Sequence, residues 1–313
     1  MDNKSIIIFG PPRSGTTWLA SIIEQAGYHI IHEPDNGKNN FSGLALLNNL
    51  RRFPYFNESE NPNALIQLFN TALEGPFHPS DSLVNTMLNK VAGQDKNTIE
   101  KSLLNNGTYH VKKSFLTNKL VNLLPSKIKK SDQPRVIKSV HSFLSIPFLI
   151  RHLDFIPLII VRHPCAIIHS MNSIGMPDID RQIFTDPNLR NDFLEPYMDE
   201  ISMLKTDNEF AGLQMGIFHF VLKTYIKKYN FIWVKHENLV FDPINNFHKL
   251  FTDLKLEWTK DIEKKLIEKN KEGSGYDLNR DLSTVNEKWK LKLRKNEIEE
   301  IYKGYSIFAD LFY

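Results

Sequence analysis

Four groups of residues in this 313-residue chain have the types and spacing to do chemistry. The first is Gly10-Pro11-Pro12-Arg13-Ser14-Gly15-Thr16-Thr17-Trp18. Its bounding glycines, and the hydroxyl residues after them, suit a loop whose backbone amides surround an anion with the positive end of a helix dipole behind it. A nucleotide-hydrolysing loop of this kind places a lysine after its second glycine, within reach of the β- and γ-phosphates. Thr16 stands there instead. The cation is Arg13, inside the loop, and its planar fork can grip one phosphate with two hydrogen bonds. The second group pairs Arg162 with Ser170, eight residues on. Read by itself, that pair is either an anion site or an arginine ion pair at a helix start. The third is Glu33, an acid/base candidate followed directly by Pro34. The fourth is Lys138-Ser139-Val140-His141, a cation with a second acid/base candidate.

The elements that must position these groups can be read from periodicity. Residues 6–9 are an apolar run of the buried-strand kind, and 10–15 break regular structure. From Thr16 the apolar residues Trp18, Leu19, Ile22, Ile23 and Ala26 recur at helical spacing, and Gly27 stands where a helix ends. Residues 28–31 read as a second strand. It delivers Glu33 to a carboxyl end, the side of an open α/β sheet where ligands bind, and Pro34 stops it from continuing as an interior strand. Residues 135–139 and 157–161 are further buried strands, the latter running into Arg162-His163-Pro164 and a helix over 165–173. A helix over 143–152 contains Pro147, which kinks it or delays its start. Residues 195–229 read as mostly helix, 231–234 as the last core strand, and 244–254, 261–269 and 296–302 as helices. This alternation predicts a three-layer α/β/α fold with a parallel sheet. Residues 35–133 have helical periodicity at 44–50, 64–73, 83–91 and 116–124, joined by Asn-rich connections. No clear linker bounds them, so they read as a helical insertion in one domain spanning 1–313 rather than as a separate domain.

The motifs resemble those of the sulfotransferases that use 3′-phosphoadenosine 5′-phosphosulfate (PAPS). Pro11-Pro12-Arg13-Ser14-Gly15-Thr16-Thr17-Trp18-Leu19 is similar to their 5′-phosphosulfate loop in its arginine version. Arg162 and Ser170 resemble their 3′-phosphate site, an arginine at a strand end and a serine eight residues later. Residues 234–243 resemble the segment after the family's later core strand, with His236 at the tyrosine position and Asn238 at the first aspartate position. Residues 283–293, with Lys288-Trp289-Lys290, resemble the segment that closes over the nucleotide. The resemblance implies a P-loop-type sheet and PAPS as co-substrate. Arg13, Ser14, Gly15, Thr16, Thr17 and Trp18 would hold its 5′ side, and Arg162 and Ser170 its 3′-phosphate. Glu33 lies near the position of the catalytic glutamate of tyrosyl-protein and trehalose-type members. Lys138 and His141 resemble the Lys-x-His of cytosolic members, with one residue more between them. The base is therefore Glu33 or His141, while Lys138 joins Arg13 and Thr16 in stabilising charge.

The implied reaction moves a sulfuryl group to a hydroxyl, or secondarily an amine, without a metal. A small-molecule, carbohydrate, lipid, polyketide or peptide acceptor is compatible with it, and residues 35–133 would form the acceptor side. Two alternatives stand beside this reading. A P-loop kinase or nucleotide hydrolase calls for a loop lysine and a strand-end aspartate, where this chain has Thr16 and Arg162. A non-catalytic nucleotide-binding protein would keep both phosphate sites without a base.

Composition narrows the partners. Apolar residues at 41% and charged residues at 24% are those of an ordinary globular protein. A net charge of +3 gives no case for nucleic acid or a membrane surface. The basic residues of 260–271 and 288–295 are interleaved with acidic ones, the pattern of solvated helices. The single cysteine, Cys165, rules out an internal disulfide and fits a reducing compartment. His163 and His169 lack metal-ligand spacing. No apolar run approaches a membrane span, and residues 5–9 are too short for a secretory core. The expectation is a cytoplasmic enzyme with no membrane span; its oligomeric state is left open.

Overall fold

The computed structural model describes residues 4–35, 51–57, 60, 63–74, 133–176, 179–268 and 286–313. At its centre is β1, Ile6–Phe9, with all four side chains buried. It pairs in parallel with β3, Arg135–Ser139, on one side and β4, Ile156–Val161, on the other. β2, His29–His32, lies outside β3, and β5, Ile232–Lys235, lies outside β4. The order is β2-β3-β1-β4-β5, every pair parallel. A strand buried on both faces reads as an unbroken apolar run, which is why Ile6-Ile7-Ile8-Phe9 forms the middle of the sheet.

Side chains alternate across the sheet with the period of two that a strand imposes. Ile6, Ile8, Leu158 and Ile160 pack with Leu19, Ile22, Phe247 and Phe251. These last belong to α1, Thr16–Ile23, and α7, Pro243–Asp253. Ile7, Phe9, Ile159 and Val161 pack on the opposite face with Phe143, Phe148, Ile167, Phe218 and Ile301. Those side chains come from the turn Ser142–Ser145 and from α3, Ile146–His152; α4, Pro164–Asn172; α5, Asp207–Tyr229; and α10, Lys295–Tyr305. Two helical layers thus enclose one parallel sheet, the three-layer α/β/α arrangement that the sequence predicts. The remaining labelled helices are α2, Asn63–Glu74; α6, His236–Phe241; α8, Lys260–Glu268; and α9, Lys288–Lys292.

Where the elements differ from expectation, local chemistry explains the difference. α3 begins at Ile146, after a 3₁₀ turn over Ser142–Ser145, with Pro147 in its first turn. A proline lacks the N–H that a first turn leaves unpaired in any case. The helical stretch expected over 195–229 is interrupted at 203–206, and α5 starts afresh behind Thr206. The Thr206 hydroxyl accepts from the Glu209 amide, and the Glu209 carboxylate accepts from the Thr206 amide, a reciprocal cap. Of the helices expected within 35–133, the one over 64–73 is α2, whose Leu65, Leu68, Phe69 and Ala72 are buried. Its last turn is capped by Arg135, whose Nη1 donates to the Ala72 carbonyl at 2.7 Å. The segments 44–50, 83–91 and 116–124 lie outside the described residues.

Candidate active site

The candidate groups collect at the carboxyl end of the sheet. β1 gives way to Gly10, where a Cβ would collide with the Ile160 carbonyl oxygen and come 2.7 Å from Ser14 Oγ. The Ser14 amide donates to the Pro11 carbonyl at 3.1 Å, closing a tight turn. Arg13 (φ 68°) and Gly15 (φ 101°) both take left-handed backbone, bending the loop into α1. The first helical bond runs from the Leu19 amide to the Gly15 carbonyl at 3.0 Å, so the amides before it have no partner in the helix. A Cβ on Gly15 would stand 2.5 Å from His236 Cδ2. His236, the first residue of α6, is buried. Trp18 lies edge-on to its ring at 5.9 Å and to Phe247 at 5.1 Å. Ser14 is wholly buried, and its hydroxyl has no hydrogen-bond partner among the described residues.

Side chains of the other three groups converge on this loop. Arg13 Nε donates to Ser170 Oγ at 2.9 Å, and Arg162 Nη1 donates to the Arg13 carbonyl at 2.9 Å. Arg162 leaves the end of β4, and Ser170 lies in α4, so three segments distant in sequence form one polar arc. On the other side of the loop, Lys138 reaches out of β3 to form an ion pair with Glu33 and to donate to Thr17 Oγ1 at 2.9 Å. Both members of that pair are largely buried, their side chains 10% and 15% exposed. Glu33 comes into reach because β2 pairs with β3 in the register His32↔Lys138, and its amide donates to the Lys138 carbonyl at 2.7 Å. Its backbone is left-handed, φ 45°, directly before Pro34. Strained non-glycine backbone concentrates at functional sites, and both Arg13 and Glu33 have it here.

His141 follows β3 and faces Phe53, ring centroids 5.6 Å apart. Burial pushes its pKa below the usual histidine value, while the Asp35 and Glu33 carboxylates oppose that shift. It is 6% exposed, and its Nδ1 has no hydrogen-bond partner among the described residues. His32, beside the ion pair, is likewise held low by burial and by Lys138.

Two further residues shape the site without having been singled out by their sequence pattern. Asp35 is buried, and its Oδ2 accepts from Ser139 Oγ at 2.5 Å and from the Ser142 amide at 2.9 Å, which fastens the end of β2 to the end of β3. Glu237 accepts from the His163 amide at 2.9 Å. The signals available were a carboxylate just after Glu33-Pro34 and one inside the 234–243 motif. Neither spacing says what the group binds. Trp289, noticed in the closing-segment motif, stacks on the His163 ring at 4.3 Å with 14° between planes. Among the described residues no three His, Cys, Asp or Glu side chains are grouped to hold a metal ion, and no helix is long and apolar enough to cross a membrane.

A parallel α/β sheet with a glycine-bounded loop at its carboxyl edge, ringed by Arg13, Lys138 and Arg162, defines the class. Comparison with known proteins gives the family. The family model described as "Sulfotransferase family" matches residues 5–260. A search of curated proteins found no match. Among solved structures, a mouse sulfotransferase, SULT7A1, complexed with PAP is 13% identical, covers 99% of this chain and 86% of its own, and has a TM-score of 0.42. The sulfotransferase domain of the Synechococcus PCC 7002 olefin synthase is 15% identical, with 99% and 96% coverage and a TM-score of 0.42. The sulfotransferase domain from the curacin biosynthetic pathway is 13% identical, with 97% coverage of each chain and a TM-score of 0.43. The chain belongs to the sulfotransferase family, and it is an enzyme of sulfuryl transfer.

Proposed function

We propose that this enzyme takes its sulfuryl group from PAPS and delivers it to a hydroxyl of its acceptor, within a single domain whose residues 35–133 form the acceptor side. The observation that carries this reading is the Lys138 side chain, which joins the carboxylate of Glu33 to Thr17 of the anion loop. A base candidate, a cation and the candidate phosphate loop are thereby linked in one hydrogen-bonded group, which supports the reading. The residues fit the donor. Gly10 and Gly15 have no room for a Cβ against the Ile160 carbonyl and the His236 ring, so the loop is held tightly in place, and the buried Ser14 hydroxyl is left without a protein partner among the described residues.

PAPS supplies the activated sulfuryl group when bound. The loop amides, Thr16 and Trp18 seat its 5′ side, and Arg13 and Lys138 stabilise the negative charge that grows on the leaving phosphate. Transfers of this kind, by analogy with phosphoryl groups, pass through loose transition states and leave the protein mainly positioning and electrostatics to provide. Glu33 accepts the acceptor's proton, and its ion pair with Lys138 aims the carboxylate. His141, uncharged at neutral pH because it is buried, lines the acceptor side. Arg162 and Ser170 meet the 3′-phosphate; the bond between Ser170 and Arg13 ties the two phosphate sites together.

Calorimetry tests the donor. Adenosine 3′,5′-bisphosphate is expected to bind without magnesium, and ATP clearly more weakly. Equal affinity for ATP, or a strict magnesium requirement, would favour a kinase-like reading. Screening with labelled PAPS against hydroxylated metabolites then identifies the acceptor. Failure of every acceptor in the presence of tight PAP binding would place the acceptor outside the hydroxylated metabolites screened.

A further inference from the structure

Behind the Arg162 corner lies a second polar cluster. Glu237, on α6, has both carboxylate oxygens occupied: Oε1 accepts from the His163 amide at 2.9 Å, and Oε2 accepts from the Tyr313 hydroxyl. His163 is the residue after Arg162. Its ring lies against Trp289, and its Nε2 pairs with the Tyr302 hydroxyl at 2.9 Å. Tyr313 is held from the other side by Lys235, whose ammonium lies 4.5 Å from the ring centroid and donates to the Phe312 carbonyl at 2.6 Å. Burial and the neighbouring Glu237 carboxylate keep the Tyr313 phenol well above its ordinary value, so it remains a donor. Burial, with Lys290 and Arg162 nearby, brings His163 down to about 4, so it adds no charge beside the arginine. One carboxylate thus fastens the exit of β4 to α6 and to the segment after α10.

We infer that Glu237, with Tyr313 holding its second oxygen, is the positioning residue that fixes where Arg162 meets the donor's 3′-phosphate. The inference rests on the reading of Arg162 given above. An arginine grips phosphate through a rigid fork, so its usefulness depends on where its backbone is held. Here the backbone amide of the very next residue is the held group. Groups that orient a binding residue through its other contacts act in this way when they leave the ligand itself untouched.

The test compares two nucleotides, adenosine 3′,5′-bisphosphate and adenosine 5′-monophosphate, by calorimetry on the wild type, R162A, E237Q and Y313F, with melting temperatures alongside. The wild type should prefer the bisphosphate, and R162A should lose about tenfold to a hundredfold of that preference, the worth of a charged hydrogen bond. E237Q and Y313F should each lose about threefold to tenfold of the same preference, the worth of one net hydrogen bond, with 5′-monophosphate affinity unchanged. The double variant should lose little more than E237Q alone, because both act through one carboxylate. A purely structural role would weaken both nucleotides alike, or lower the melting temperature with the preference intact, and would overturn the inference. Y313F, which removes a single hydroxyl, carries the test should E237Q fail to fold. A wild type with no preference would sink the reading of Arg162 and the inference with it. Preference lost in R162A yet intact in Y313F and E237Q would overturn the inference alone.

Discussion

Glu33 and His141 occupy the same end of the sheet in different electrostatic surroundings. The Glu33 carboxylate is paired with Lys138, which fixes its direction, whereas His141 is a buried neutral imidazole against Phe53. A positioned base contributes roughly 10²–10⁴-fold in rate. Glu33→Gln is therefore expected to lower kcat by about that factor, with bisphosphate affinity nearly unchanged, and His141→Ala to cost less through acceptor positioning. Both variants should be assayed side by side on one acceptor; normal turnover by Glu33→Gln beside a dead His141→Ala would reverse the assignment. At this scale the sequence is informative wherever chemistry is local. Gly10 to Trp18 is a contiguous segment, so its glycine spacing is legible in the sequence. Arg162 and Ser170 lie eight residues apart, so the candidate pair is visible as a spacing, although in the structure each meets Arg13. Asp35 and Glu237 were not legible, because their partners, Ser139 and Ser142 for one and His163 and Tyr313 for the other, are far away in sequence. The bond between Arg13 and Ser170 spans 157 residues and is invisible to any spacing.

Among the elements, strands were placed within a residue of their observed ends because unbroken apolar runs bounded by Gly, Pro or charge leave little choice. Helix starts were harder where a cap had to be recognised, as at Thr206. The least legible feature is the crossing of α5 and α10. A Cβ on Gly212 would overlap the Ile301 carbonyl, and one on Gly304 would overlap the Glu209 carbonyl and stand 2.7 Å from the Leu213 amide nitrogen. The two backbones touch there, and Lys303 ties α10 to Glu209 by an ion pair. In sequence these are isolated glycines inside helical patterns, ordinarily a cost of about 1 kcal/mol relative to alanine. The contact matters because α10 carries Tyr302 to His163 and Tyr305 to His219. Gly304→Ala should gain helix propensity yet still destabilise the fold by about 1–3 kcal/mol, since neither backbone can yield without moving a helix. Urea unfolding measures this, and a variant as stable as the wild type would show that the crossing has slack.

At the scale of the whole molecule, burial of histidine makes stability depend on pH. His219 is fully buried on α5, its Nδ1 shared with the Tyr305 hydroxyl at 2.9 Å and its ring edge-on to Phe312 at 5.4 Å. Burial, reinforced by His163 and Lys235, brings its pKa down to about 3. His163 stands at about 4, and His141 is lowered as well. In the unfolded chain each titrates near 6.5. Below that pH the unfolded state binds more protons than the folded one, so acidification favours unfolding. The contribution is complete above about pH 6.5 and is lost as pH falls toward the folded values, by at most roughly 1.4 kcal/mol per pH unit for each histidine. Depressed carboxylates such as Glu209 and Asp310, both about 2, act in the same direction but only below their unfolded values of 4.5 and 3.8. The interval from pH 6.5 to 5 therefore isolates the histidines. Urea midpoints recorded across it should fall steadily on acidification, and His219→Gln, which keeps a polar partner for Tyr305 but cannot titrate, should make the decline shallower. A midpoint that stays level from pH 7 to 5 would mean that these imidazoles accept protons in the folded state, and that the aromatic packing around His163 and His219 opens far more readily than its burial implies.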